Sequence, residues 1–171
     1  IMHVKEMISL NHEAQRGLWE FIHAHDSMID EVRGNNYYSE SIAFELDDSD
    51  IKETIRPYSM GRIIDVAEFF ESYACDPDEP PAVFRFDVTD ELLPWNNSSF
   101  TIRFEHGRCR VTDEAPDYTM GLSIATLTTL LLGYKTAEKL YVMDRIKAEH
   151  SAVEILDDIL FHTIPYVSDY I

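Results

Sequence analysis

Apolar and polar positions change period several times along the 171 residues. In "VFRFDV", Phe84, Phe86 and Val88 share one face while Arg85 and Asp87 take the other; in "FTIRF", Phe100, Ile102 and Phe104 stand opposite Thr101 and Arg103. This period of two predicts strands with one buried face. Between them lies "LLPWNNSS", a proline followed by Asn, Asn, Ser and Ser, which is turn chemistry and predicts a connection between paired strands, with Trp95 as a lid on the core. "EHGR" predicts a hairpin turn with Gly107 at positive φ, and the returning strand "CRVTD" is expected to aim Cys109 and Val111 at the same core. "HVKEMISL" (His3 to Leu10), "YYSESIAFEL", "YSMGRIID" (Tyr58 to Asp65) and "YTMGLS" also read as strands.

Helical spacing appears elsewhere. Ala14, Leu18, Phe21, Ile22, His25, Ile29 and Val32 predict one long helix, capped by Asn11 and closed near Gly34 in "RGNN". The acidic "DDSD" is expected to start a short helical turn running to "IRPY", and Val66 to about Tyr73 reads as a short helix. "CDPDEPP" must be a loop. Ile124 to Leu132 predicts a buried helix stopped by Gly133, and Thr136 caps another through about Asp144. Ser151 and Glu154 have capping-box spacing ahead of a last helix with Val153, Leu156, Ile159 and Leu160 on its apolar face, ended by Pro165. The pattern changes at Pro57 and Tyr58, which suggests domains 1–57 and 58–171. An antiparallel hairpin at the centre and helices clustered at the end predict an α+β sheet-and-helix sandwich.

Composition narrows the function classes. A 45% hydrophobic and 12% aromatic content argues for a globular chain rather than disorder. The formal charge of −18 repels phosphate backbones and anionic lipid, so neither nucleic acid nor membrane is an expected partner. That field serves solubility or the steering of a cationic substrate. Cys75 and Cys109 form no CxxC, which with the lack of a basic apolar leader suggests a reducing, cytoplasmic setting, and Cys109 reads as a packing cysteine. The longest apolar run, "LSIATLTTLLLG", is too short to span a bilayer. His23 and His25, two apart, point to different faces of a helix, so no metal site is expected. There is no GxGxxG, GxxxxGK[ST] or GxSxG, hence no visible coenzyme cradle and no covalent nucleophile.

Two places carry candidate chemistry. Asp65 in "GRIIDV" precedes a helix, where it acts either as an N-cap or as a carboxylate holding a cationic group, and Arg62 is placed to pair with it or with another acid. At the other, Asp169, Tyr170 and Ile171 end the chain in a carboxylate whose ordinary pKa is roughly 3.3–3.7. A hydrophobic last residue after a helix and a proline suggests that the tail is tucked in.

"YSMGRIIDVAEFFESY", "FRFDVTDELLPWNNSSFTIRF", "TLTTLLLGYKTAEKL" and "IPYVSDYI", in that order and spacing, resemble the C-terminal part of the enhanced intracellular survival (Eis) family of acetyltransferases. "LNHEAQRGLWEFIHAHDSMIDEV" is similar to the helix of that family's second, non-catalytic GNAT domain, so the resemblance covers nearly the whole chain. It implies a sterol-carrier-protein-like domain preceded by part of a GNAT-like α/β domain. It also implies a separate N-terminal GNAT domain that holds acetyl-CoA and the family's tyrosine acid, with no cofactor site in this segment. The resemblance puts the substrate base on the terminal carboxylate of Ile171, contact with a positively charged substrate on Asp65, and Tyr170 in the same pocket. Aminoglycosides are among the implied amine substrates, and a homo-oligomer, a hexamer in the family, is the implied assembly. Against this stands a different class, a module holding a small apolar, lipid- or sterol-like ligand, or an oligomerisation scaffold. An apolar tunnel would favour the ligand module. A packed interior, with Asp65 and the terminus converging on an open edge, would favour the transferase.

Overall fold

The computed structural model describes residues 1–35, 51–54 and 60–165. The chain divides into two compact units, Ile1–Arg56 and Pro57–Ile171. In the first, β1 (Met2–Val4) pairs in parallel with β2 (Val32–Gly34), Met2 opposite Val32, and α1 (His12–His23) makes the crossover between them. Asn11 caps α1 as expected, its side chain accepting from the Ala14 N–H at 2.8 Å.

The long helix expected to continue to Gly34 stops ten residues early, and the reason is local. The His25 ring hydrogen-bonds the Phe21 carbonyl at 2.8 Å, occupying the acceptor that a continuing helix would offer the His25 N–H. That N–H bonds Ile22 O instead, a 3₁₀ turn follows at Asp26–Met28, and Ile29 is already extended. Val32 therefore stands in a strand. The expected strand "YYSESIAFEL" and most of the turn from "DDSD" to "IRPY" lie outside the described residues; Ile51 to Glu53 and the Thr54 beside them have no regular structure.

The second unit is a five-stranded sheet with helices on one face. Its strands are β3 (Ala82–Thr89), β4 (Ser99–Glu105), β5 (Arg108–Val111), β6 (Tyr118–Ser123) and β7 (Ile146–Lys147), in the order β5-β4-β3-β6-β7. β3 is antiparallel to β4 and parallel to β6, so the predicted central hairpin is present, with Phe86 directly opposite Phe100. The other helices are α2 (Val66–Glu71), α3 (Ile124–Leu131), α4 (Ala137–Val142) and α5 (His150–Ile159).

Alternation decides which face is covered. Phe84, Phe86, Val88, Ile102, Phe104, Cys109, Met120 and Leu122 are buried on the helix side, while Arg85, Asp87 and Ser99 bond one another on the open side. Phe70 of α2 stacks on Phe86 at 5.3 Å and meets Phe104 edge-on at 6.1 Å; Phe84 meets Phe104 edge-on at 5.7 Å. These separations suit aromatic quadrupoles and leave the centre of the sandwich filled by rings. Val111 shares the face of Cys109, opposite the buried Ile102, but at the end of an edge strand it stays half-exposed, and only Cys109 of β5 is buried.

Gly107 and Gly133 adopt φ of 78° and 74°, making the hairpin turn and the stop of α3 as predicted. The expected Ser151–Glu154 capping box does not form. α5 starts two residues earlier, at His150, whose ring sits between Glu138 of α4 at 3.0 Å and Glu154 at 3.6 Å and fixes it in the first turn. We expect Phe86→Ala to destabilise the second unit by about 3–5 kcal/mol in urea unfolding, and Val111→Ala, at the exposed edge, to change it far less.

Candidate functional site

The segment leading to Asp65 is held by side chains rather than by a sheet. "YSMGRIID" was expected to be a strand, yet its described part, residues 60–65, pairs with no strand. Its backbone groups bond elsewhere: the Ile63 N–H donates to Thr128 Oγ1 at 3.2 Å, and the Ile64 carbonyl accepts from Trp95 Nε1 at 2.8 Å and from Asn96 Nδ2 at 2.9 Å. Asn96 Oδ1 in turn accepts from the Val66 N–H at 3.1 Å. One fully buried amide thus satisfies both sides of the Ile64–Val66 stretch, as buried backbone requires.

Asp90 is the charged centre of this arrangement. Its carboxylate, 1% exposed, is bonded by Arg62 at 2.6 Å, by the Leu92 and Leu93 N–H groups at 2.9 and 3.2 Å, and by Asn96 Nδ2 at 3.2 Å. Burial pushes its carboxyl up, but the hydrogen bonds from Leu92, Arg62, Leu93 and Asn96 together outweigh it and bring the pKa down to about 2. Arg62, expected to pair with Asp65 or with another acid, therefore pairs with Asp90. The Pro-Trp-Asn turn is a corner that grips the neighbouring segment. Trp95 is not the expected lid: it is 58% exposed and latched through its indole N–H, because its ring lies outside the layer that the sheet and helices close.

Asp65 is held at the start of α2. Its Oδ1 accepts from the Glu68 N–H at 3.0 Å, the N-cap role, while Oδ2 has no partner among the described residues, and the side chain is exposed. One oxygen is thus available to a cation arriving from solvent, beside the exposed Ile64 and Trp95. Tyr170 and Ile171 lie outside the described residues. The segment that leads to them crosses the end of α3, where Gly133 faces the backbone of Thr163 while the adjacent Leu132 faces Gly61. The stretches leading to Asp65 and to the terminus so meet at one helix end.

Other chemistry is quiet. Cys75 and Cys109 are buried free thiols whose pKa values burial pushes up, which suits packing rather than nucleophilic attack. Burial likewise pushes Tyr73 beside them up to about 12. An open groove of about 560 Å³ lies at the opposite end of β3, bounded by Glu79, Asp117, Tyr118, Asp158 and Ile155. No group of three metal-ligating side chains occurs among the described residues, and no described helix is long and apolar enough to cross a membrane.

Asp90 and Asn96 were not singled out as site residues from sequence. Their signal is weak: an acid at a strand end and an asparagine in a turn are commonplace, and only the incoming segment 62–66 gives them partners. Because the folded pKa of Asp90 lies below the ordinary 3.8, its stabilisation is present above that value and is lost as pH falls through about 2. The melting temperature of Asp90→Asn should accordingly vary less than that of the parent across this acid range. Asn96→Ala should cost about 1–3 kcal/mol for each buried group left unpaired, read by urea unfolding at neutral pH.

Comparison with known proteins fits this architecture. Residues 66–168 match the family model described as sterol carrier protein domain, and residues 1–63 match that described as acetyltransferase (GNAT) domain. Among solved structures, a protein from Enterococcus faecalis V583 described as a "probable N-acyltransferase" is 26% identical with a TM-score of 0.86. A GCN5-related N-acetyltransferase from Anabaena variabilis is 23% identical with a TM-score of 0.77, and Eis1 from Mycobacterium abscessus 21% identical with a TM-score of 0.75; these two share the fold. Each match covers 99% of this chain and 43% of the other, so the chain spans less than half the length of these proteins. No curated protein matches. With more than half of its residues under one family model, the chain belongs to the sterol carrier protein domain family, with a GNAT-type acetyltransferase segment ahead of that domain.

Proposed function

We propose that this chain is the C-terminal portion of an acetyl-CoA-dependent N-acetyltransferase of the Eis type, acting on amine groups of cationic substrates such as aminoglycosides. The observation that carries the reading is the GNAT segment followed directly by a sterol carrier protein domain, in a chain that superposes over 99% of its length on a protein described as a probable N-acyltransferase. Acetyl-CoA binds a separate N-terminal GNAT domain, which is this chain's partner. The terminal carboxylate of Ile171 takes a proton from the substrate ammonium and the freed amine attacks the acetyl carbonyl; as the bond to the coenzyme sulfur breaks, the nitrogen gives up its second proton and the sulfur leaves as the thiol, protonated by the tyrosine acid of the N-terminal domain. Desolvation in a tucked tail raises the basicity of that carboxylate. Asp65 holds a second positive group of the substrate through its open oxygen, and Tyr170 lines the pocket. The protein works in the cytoplasm as a homo-oligomer, a hexamer on this reading, and the acidic surface draws in polycations.

The alternative, a holder of small apolar ligands, draws support from the sterol carrier protein match itself. The ring-filled centre between sheet and helices weighs against it, since Phe70, Phe84, Phe86 and Phe104 occupy the volume such a ligand would need. The deciding experiment is acetyl transfer from acetyl-CoA to a polyamine antibiotic by the complete protein, with and without Tyr170 and Ile171. Removal of the two residues should lower turnover by about 10²- to 10⁴-fold, the usual contribution of a general base, while folding and assembly persist. Undiminished turnover would make this chain a scaffold or a binding module.

A further inference from the structure

The corner built by residues 60–65 and 90–96 is apolar on its outside. Ile64, Trp95 and Leu92 are 59%, 58% and 74% exposed, and Met60 is fully so. Leu132, exposed as well, joins them through Gly61, where a Cβ would meet its Cδ1 at 2.8 Å. Single exposed apolar side chains are ordinary on a protein surface, whereas a contiguous group marks a surface that meets something.

This group is held in place. The Trp95 indole uses its one N–H on the Ile64 carbonyl at 2.8 Å, so the part of the ring that faces solvent offers only hydrocarbon. Asn96 ties the turn to both sides of the Ile64–Val66 stretch, and the Arg62–Asp90 pair holds the same two segments together. An aromatic ring fixed in advance loses little conformational freedom when a partner covers it, which is the property of an interface anchor.

Charge and chain length say what covers the corner. Asp65, Glu68 and Glu91 are exposed beside Ile64 and Leu92. A symmetric contact between two copies would bring these like charges face to face, which disfavours a second copy as the occupant. The solved structures that this chain resembles extend well beyond it, since it covers 43% of their length. The portion outside is large enough to bring a folded surface of its own.

We infer that this corner is the docking surface for the part of the complete protein that lies outside this chain, with Trp95 and Ile64 as its anchors. This rests on the reading of the chain as one portion of a longer acetyltransferase. The docked surface presents an apolar centre to Trp95, Ile64 and Leu92, and its arrival takes water from around the open oxygen of Asp65. With that water gone, the attraction of the carboxylate for a cationic group strengthens.

The test is hydroxyl-radical labelling of the complete protein, read residue by residue by mass spectrometry. In this chain Met60 is more exposed than Met143, which stands 52% exposed just past α4 and outside the corner. In the complete protein the order should reverse, with Met60 labelled several-fold more slowly than Met143. Leu92→Glu changes an exposed side chain and should raise the labelling of Met60 and Trp95 several-fold while leaving Met143 as it was. A photo-crosslinking residue in place of Leu92 should join the corner to a peptide outside residues 1–171. Met60 labelled at least as fast as Met143 overturns the inference. A crosslink within residues 1–171 overturns it too, by giving the corner to this chain or a second copy of it. The wider reading fails separately: protection in a complete protein that transfers no acetyl group leaves the docking surface standing, and turnover with Met60 freely labelled removes this inference alone.

Discussion

The carboxamide of Asn96 connects a turn to a segment more than thirty residues away, and the rest of the second unit is arranged around that link. By accepting from Val66 N–H and donating to the Ile64 carbonyl and to Asp90, it replaces the ladder that a strand would have provided. An amide can do this because it offers two N–H donors beside a carbonyl acceptor, whereas an ionised Asp has no donor and Ser has one. Arg62 and Asp90 close the arrangement, and each buried polar atom within it has a partner, the condition under which such a network stabilises rather than costs. The helix start at Asp65, the one candidate carboxylate among the described residues, is positioned by this link.

The one-sided sheet supplies the other constraint. With helices on a single face, burial concentrates in the alternating inward residues of β3, β4 and β6, and the phenylalanines fill the layer between them. Chemistry is left to the ends of elements: the exposed start of α2, the end of α3 and the stretch that leaves α5. That distribution differs from a fold whose own interior is the binding site.

Period and capping made much of the second unit legible. Strands 82–89 and 99–105, the Gly107 turn, the Gly133 stop and the Thr136 cap follow from local chemistry and appear where that chemistry puts them. The errors share a cause. The helix through Val32, the strand expected at 58–65, the capping box at Ser151 and the burial of Val111 each obey a local rule that its surroundings overrode: a histidine ring on a carbonyl, side chains on a backbone, a glutamate from the preceding helix, the edge of a sheet.

By itself, then, the sequence determined the type of most strongly periodic elements, the corners, the net acidity and the N-cap role of Asp65. Its ordered motifs also carried the resemblance to a two-part transferase segment. Only the tertiary structure decided that Arg62 belongs to Asp90, that Trp95 is a latch on the outside, and that the routes to Asp65 and to the terminus meet at Leu132 and Gly133. The physical reason is range. Turn propensity, capping and hydrophobic period act over a few residues and can be read in a line, whereas buried hydrogen bonds and backbone clearance depend on which distant segments the packed core brings within a few ångströms of each other.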